Sequence, residues 1–571
     1  MFSKRKGWMN NKIILSLLAL FIFGCEDQKA DMIIHNGVIY TMNDLNPITE
    51  AVAVGDGKII ALGKYRDLDP LINAKTKIIN LSGAMMTPGI IEGHGHFYGL
   101  GLAKMQLDLS KTESYQDLID MVSDAVRNSN PGEWILGRGW HQSKWSDNKD
   151  DFVKGFQTHD RLSEVSPKNP VWLKHASGHA GFANQNAMDI ANVNRETEFG
   201  FGGEIIKDLS KEPTGVFNER AQGLISSHID NNLSEDSDIR AIELAVKTSL
   251  ENGITSFHDA GTGKKTIEIL REAINRGILK VRIYAMLTSR DTTLLNEWYK
   301  KGPEIGTGGD LLTIRSIKLN ADGALGSRGA WLIDEYTDRP GHYGMPTQSM
   351  EYVYRVAKNG LLSGFQVNSH AIGDKANREI LNEYEKVFNE YPDHATDHRW
   401  RIEHAQHVAP ADIPRFGRMK VIPSIQGIHM SSDRPWAIDR LGKKRIEESA
   451  YVWRDLIDHG AILINGSDVP VEPIDPIASF YASTTRKTLK GFPDFGYEPK
   501  QKMTRIEALK SYTLNAAYGA FEENIKGSIE IGKYADFTVF SQNLITIPED
   551  KILDTKILYT IVNGVVEYQA N

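Results

Sequence analysis

At 571 residues the chain is long for a single hydrophobic core and points to two or three domains. Its 41% hydrophobic and 25% charged content is that of a folded globular protein, and a net charge of -8 argues against nucleic acid as a partner. One cysteine excludes an internal disulfide framework and any cysteine zinc cluster.

That cysteine is well placed. Lys4, Arg5, Lys6 and Lys12 precede an apolar run from Ile13 to Phe23, which ends in Gly24-Cys25. A basic segment followed by an apolar stretch too short to span a bilayer reads as a signal peptide over residues 1–24. The segment resembles a bacterial lipoprotein signal, with Ile22 and Gly24 fitting and the bulky Phe23 departing from the usual small residue. The resemblance implies an acylated Cys25, a polar tether over 25–31, and an exported lipoprotein held to a membrane by its N-terminal lipid, periplasmic or on the outer surface.

Residues 32–86 are rich in strand and turn signals. Asn36-Gly37 predicts a hairpin between two short runs, and Ala51 to Leu62, turning at Gly55-Asp-Gly-Lys, predicts a second. Residues 526–571 repeat the grammar, with strands expected at Ile529 to Ile531, Asp536 to Phe540 and Tyr559 to Glu567, the last interrupted by Asn563-Gly564. The two ends are expected to pair into one small β-sandwich around an inserted domain over 87–525. Inside that insertion, helices ended by glycine lead into short apolar strands: Gly253 before Ile254-Thr-Ser-Phe, Gly360 before Phe365-Gln-Val-Asn, and helix 450–459 with Gly460 before Ala461-Ile-Leu-Ile. Repeated βα units of this kind predict an α/β fold, a distorted (β/α)₈ TIM barrel, over an open doubly wound sheet, because no GxGxxG loop follows an early strand. Residues 110–235 fit the rhythm poorly and are expected to form an inserted subdomain over the barrel mouth. Thr504-Arg-Ile-Glu507 is a capping box opening the last helix.

Barrel chemistry collects at the carboxyl ends of strands. The stretch Thr87-Pro-Gly-Ile-Ile-Glu-Gly-His94-Gly-His96-Phe97 sets two imidazoles two residues apart, a weak metal signal by itself. Further strands contribute Lys318, His370 and His404, and Gly466-Ser-Asp468 follows another. Four histidines, a lysine and an aspartate at five strand ends are a far more specific pattern than any one of them.

Together, Pro88-Gly-x-Ile-x-x-x-His-x-His96, His370-Ala-Ile-Gly-Asp374, Arg401-Ile-Glu-His404-Ala-Gln and Gly466-Ser-Asp468-x-Pro470 resemble the successive motifs of the amidohydrolase superfamily, in particular its third branch, which includes N-substituted formamide deformylases. Trp134-Ile-Leu-Gly-Arg-Gly-Trp140, Gly178-His179, Thr214-Gly-Val, Ile317-Lys318-Leu-Asn-Ala-Asp322 and Lys526-Gly-Ser-Ile-Glu-Ile-Gly-Lys-Tyr-Ala-Asp536 support the likeness, which runs from about Met32 to about Glu567. The resemblance implies one or two divalent ions, Zn²⁺ first among them, with His94 and His96 on one metal and His370 and His404 on a second. Lys318 would be a carboxylated bridge between them; as a plain lysine paired with Asp322 or with a substrate carboxylate it would leave a single-metal site. Asp468 would contact metal and shuttle the proton, and His179 is a candidate donor to the substrate carbonyl. Trp140, Trp145 and His141 are candidate pocket residues, and Asp259, Arg328, Gln426 and His429 are candidate supporting or substrate contacts.

The implied activity is hydrolysis of a C–N bond in a small amide, formamide or cyclic amide through a metal-activated hydroxide. The alternatives are a hydrolase, deaminase or isomerase on the same fold with another substrate, and a non-catalytic metal-binding surface lipoprotein.

Overall fold

Eight parallel strands from the middle of the chain form the centre of the molecule, in a computed structural model that describes residues 29–146, 152–229 and 234–570. They are β1 (Ile90–Gly95), β2 (Ile254–Thr262), β3 (Arg282–Thr288), β4 (Leu312–Asn320), β5 (Gln366–Ala371), β6 (Arg401–His404), β7 (Ile422–Ile425) and β8 (Ile464–Asn465), each paired with the next in chain order except that β1 opens the series. Strands buried on both faces suit parallel pairing, and every residue of β1, β5, β6 and β7 is buried.

The seam between β1 and β8 is closed by main chain rather than by a long ladder. The Asp468 N–H donates to His94 O at 2.7 Å and the His96 N–H to Val469 O at 2.7 Å. Close approach here depends on Gly93, where a methyl group would lie 2.4 Å from Asn465 O. The result is a nearly closed eight-stranded barrel, a distorted TIM barrel.

Helices flank it. Glu235–Glu251 is capped by Ser234, whose hydroxyl accepts the Ser237 N–H, and buries Ile239, Ile242, Val246 and Leu250. Asp374–Glu390 buries Ile380, Leu381, Tyr384 and Val387. The capping box at Thr504 and Glu507 is present and opens the helix Arg505–Ser511.

The strand-rich ends meet in one eight-stranded sheet. Phe537–Phe540 runs antiparallel to Met85–Pro88, with Thr538 opposite Thr87. The Asn563-Gly564 turn joins Ile557–Val562 to Val565–Gln569, with both residues at positive φ. The core of this sheet includes Ile34, Val52, Phe537 and Val539. A second sheet of six strands spans Leu107–Asp108 to Pro213–Glu219 and has its own core, including Leu109, Tyr115, Trp140 and Phe182.

Three local expectations are corrected. Asn36-Gly37 is not a hairpin: Met32–Tyr40 is one strand, and Asn36, at a φ of 60°, forms a bulge that shifts register between His35 and Ile39. Residues 529–531 are not a strand, because left-handed glycines at 527 and 532 turn the chain on either side; Ile529 still donates its N–H to Thr41 O. The strand expected at 461–464 shrinks to Ile464–Asn465, since Ile462 points outward at 39% exposure. The signal peptide and Cys25 lie outside the described residues. Among the described residues no helix is long and apolar enough to cross a membrane.

Candidate metal centre

β1 carries His94 near its end and leaves His96 just beyond it, at the start of the helix Phe97–Ala103. β4 carries Lys318, β5 carries His370, β6 ends in His404, and Asp468 follows β8. From the six-stranded sheet, the loop after Val171–His175 brings His179. All seven residues line one cavity of about 390 Å³.

The imidazoles form a chain across it. Ring centres lie 5.9 Å apart for His96 and His94, 4.9 Å for His94 and His404, and 4.4 Å for His404 and His370. Asp468 Oδ1 sits 3.2 Å from His96 Nε2 and 3.5 Å from His94 Nε2. Ligand atoms of His94, His404 and Asp468 all fall within 4.8 Å of one another. This tightest group takes one histidine from each of the two pairs expected from sequence.

The far nitrogens of three rings are held by acceptors. His94 Nδ1 bonds the Glu403 carboxylate, His96 Nδ1 lies 2.8 Å from Ala260 O, and His404 Nδ1 lies 2.7 Å from Gln426 Oε1. Each ring is thereby left with Nε2 as its lone-pair nitrogen, the arrangement of a metal-ligating histidine with an outer acceptor. His370 differs, with Nε2 3.4 Å from Asp322 Oδ1. Imidazole nitrogens and a carboxylate oxygen converging on one cavity fit a divalent cation.

The electrostatics agree with that donor set. Burial, helped by the Lys318 ammonium, pushes His94 down to about 4 against the pull of Glu403. Burial holds His404 and His370 well below the ordinary imidazole range. Burial alone would push Asp468 up, but His96, His94 and His404 outweigh it and hold the carboxyl well down. Glu403 is likewise ionised, since Arg401 and His94 overcome the cost of burial. Lys318 is pushed down to about 8 by burial, against Glu403 and Asp468, with Nζ 3.3 Å from His94 Nε2. The backbone at His404 and Asp468 is left-handed, with φ of 76° and 59°. Such a conformation is uncommon outside glycine, and at two candidate ligands it turns the chain at the rim of the cavity.

His179 Nδ1 meets Glu219 Oε2 at 2.8 Å, and its ring centre is 5.1 Å from that of His370. Burial opposes its charge, but Glu219 prevails and its pKa is raised.

A model of the amidohydrolase family matches residues 77–568. The chain belongs to this family. It is 32% identical over 526 residues to the protein LONG AFTER FAR-RED 3 of Arabidopsis thaliana, covering 90% of this chain and 88% of that one. It is 26% identical over 558 residues to the N-substituted formamide deformylase of Arthrobacter pascens, covering 95% and 99%. Among solved structures, an uncharacterized metal-dependent hydrolase of Pyrococcus horikoshii superposes with a TM-score of 0.71 at 25% identity, over 91% of this chain and 99% of that one. This amidohydrolase is therefore a metal-dependent hydrolase.

Several supporting residues of the amidohydrolase escaped the sequence. Glu403 and Arg401 share one face of β6, and Arg401 Nε lies 2.7 Å from Glu403 Oε1; the alternation Arg-Ile-Glu-His was the available signal. Glu92, two residues before His94, accepts the Ser467 N–H at 2.7 Å, and burial pushes it up to about 8. Glu219 has no spacing signal at all. Asp322 does not pair with Lys318: it accepts the N–H groups of Trp331, Ile372 and Gly373, and burial pushes it up to about 7.

The remaining candidates divide. Gln426 orients His404, and Asp259 accepts the Phe97 N–H at 2.7 Å, fixing the helix behind His96. His141 and His429 line an inner recess with Trp436. Trp140 and Trp145 are core of the six-stranded sheet, and Arg328 pairs with Asp338 at 3.0 Å.

Proposed function

We propose that this amidohydrolase hydrolyses the C–N bond of an amide, formamide or cyclic amide, releasing a carboxylic acid and an amine. The observation that carries the reading is the convergence of His94, His96, His404 and Asp468 with Lys318 and the His179–Glu219 pair on one cavity. His94, His96, His370, His404 and Asp468 would hold one or two divalent ions, zinc foremost, because neutral imidazoles and a carboxylate are zinc ligands. Such an ion, when bound, supplies Lewis acidity and activates water near neutral pH.

The chain's own groups account for the rest. The Asp468 carboxylate accepts the proton lost by the attacking water and returns it to the leaving nitrogen. His179, whose pKa is raised by Glu219, donates from Nε2 to the substrate carbonyl oxygen as negative charge develops there. Glu403, Ala260 O and Gln426 fix three ring orientations, so no side chain has to reorganise when charge moves. Lys318 is buried and forms no salt bridge among the described residues, which supports its carboxylation by CO₂ into an anionic ligand; native mass measurement should find that adduct and Lys318→Met should abolish it.

The decisive experiment compares the metal-loaded parent with Asp468→Asn on a panel of amides, formamides, cyclic amides and esters. The expected loss on C–N substrates is roughly 10²–10⁴-fold in kcat. Unchanged turnover by the variant, or turnover of esters alone by the parent, overturns the reading.

We also propose export and acylation at Cys25, supported by the basic segment and apolar run before it. Labelled fatty acid should enter the parent and be absent from Cys25→Ser; equal labelling of both would rule the anchor out.

A further inference from the structure

Outside the metal centre, the cavity opens into a larger space of about 820 Å³ that shares Arg138, Lys174, Glu219 and Arg290 with it. Three of those four shared charges are cations, and Arg220 adds a fourth to the outer space. This basic funnel stands in a chain of net charge -8.

Arg138 and Lys174 are direct register partners on the parallel strands Ile135–Trp140 and Val171–His175. Partners in register project from the same sheet face, so two like charges stand side by side. That placement is destabilising by itself and needs an anion to offset it. No salt bridge supplies one: among the described residues Arg138, Lys174, Arg220 and Arg290 form none, and Asp468 attracts Arg138 only from within the same cavity. Glu219, the acid of the funnel, is already held by His179 at 2.8 Å.

The Arg138 head is nevertheless fixed. Its Nε donates to Pro470 O at 3.1 Å and its Nη2 to Ala176 O at 2.9 Å, both neutral carbonyls, one of them just beyond Asp468. Nη1 makes no hydrogen bond among the described residues, and the guanidinium as a whole lies near Gly178, next to His179. Lys174 is exposed because its side chain stands in the cavity, on the same strand face as Trp172, which also lines it. The cavity walls strip part of the water from its ammonium and the neighbouring guanidinium repels it, and both lower its pKa.

We propose that the substrate is an amide carrying its own carboxylate, which Arg138 and Lys174 receive at the mouth of the metal cavity with Arg290 beside them. A guanidinium nitrogen and an ammonium side by side match the two oxygens of a planar carboxylate. Because Arg138 is tied to Pro470, that carboxylate sits within a few bonds of the amide being cleaved. The assignment rests on the amide-hydrolase reading and narrows it to anionic substrates.

The test is equilibrium binding by calorimetry to metal-loaded Asp468→Asn protein, using matched pairs such as N-benzoylglycine and N-methylbenzamide, which differ by the carboxylate. The carboxylated member should bind roughly tenfold tighter or more, with the advantage shrinking as salt is added. Lys174→Met and, separately, Arg290→Met on an exposed loop position should reduce that advantage several-fold and leave the neutral ligand unchanged. Equal affinity for the two members, no binding of any carboxylated amide, or a preference that survives both substitutions overturns the proposal. If carboxylated amides bind preferentially yet the parent cleaves none, anion reception stands and amide hydrolysis falls.

Discussion

His404 keeps its ring turned into the cavity because Gln426 Oε1, 2.7 Å away, accepts the proton on Nδ1. Gln426→Leu removes that acceptor without removing a ligand. The expected outcome is a 10–100-fold loss of metal affinity, read by competition with a chelator while circular dichroism stays native. An unchanged affinity would mean that packing alone orients the ring. At this scale the sequence shows the inner ring of residues well and the outer ring poorly. His94, His96, His370, His404 and Asp468 sit at recurring places, the ends of apolar strands, and their types match a cation's needs, whereas Lys318 shares the placement but not the type. Glu219 reaches His179 from a strand of the same six-stranded sheet some forty residues further on, and Gln426 reaches His404 from the end of the next barrel strand. Such pairings are made by topology, and nothing in local spacing announces them. Which histidines group most tightly is hidden for the same reason, since closure of the barrel brings Asp468 against His94 and His404.

The helix Phe97–Ala103 shows how an element carries a site. It starts at His96, is held by Asp259 at the Phe97 N–H, and crosses the helix Glu235–Glu251 at Gly101, where a methyl group would lie 1.9 Å from Ala241 O. Gly101→Ala must push the two helices apart, which costs about 1–3 kcal/mol by overpacking and shifts His96 with the helix. Thermal unfolding should fall by several degrees and kcat/KM should drop with it; a variant with parental values in both would show that the contact is slack. Elements closed by a glycine stop, such as the helix Glu235–Glu251 ahead of Gly253, were legible in the sequence. Those decided by neighbours were not: the Asn36-Gly37 pair carries a hairpin's residues, yet strand pairing on both sides converts it to a bulge. The strand before Asn465 lost its first half, where Ile462 points outward.

Across the molecule, the barrel and the terminal sheet are joined by a buried ion pair. Arg282 on β3 donates from Nε to Asp536 at 2.7 Å and from Nη2 to Asn563 Oδ1 at 2.8 Å. Arg282→Met strands the Asp536 charge and should cost about 3–5 kcal/mol in urea unfolding; a loss below about 1 kcal/mol would show that the pair is solvated. Acid stability follows from other buried groups. Burial pushes His398 down to about 4 and His407 down to about 3. Near pH 7 both states leave these rings neutral; below pH 6.5 the unfolded chain takes up protons that the folded chain refuses. Stability is therefore fully present above pH 6.5 and falls toward pH 4 by about 1.4 kcal/mol per pH unit for each ring. Urea midpoints at pH 7.5, 6 and 5 should show the decline, and His398→Gln should flatten it by one ring's share; a flat profile would mean the rings are reached by water.

The strand Met85–Pro88 takes one of its neighbours, Phe537–Phe540, from roughly 450 residues further along the chain. At ribosomal rates of about 5–20 residues per second, that edge waits on the order of a minute for its partner to be made. For that interval Met85, Met86 and the apolar strands beside them are exposed to any other edge in the cell. The chain is thus kept from finishing its first sheet until synthesis is nearly over.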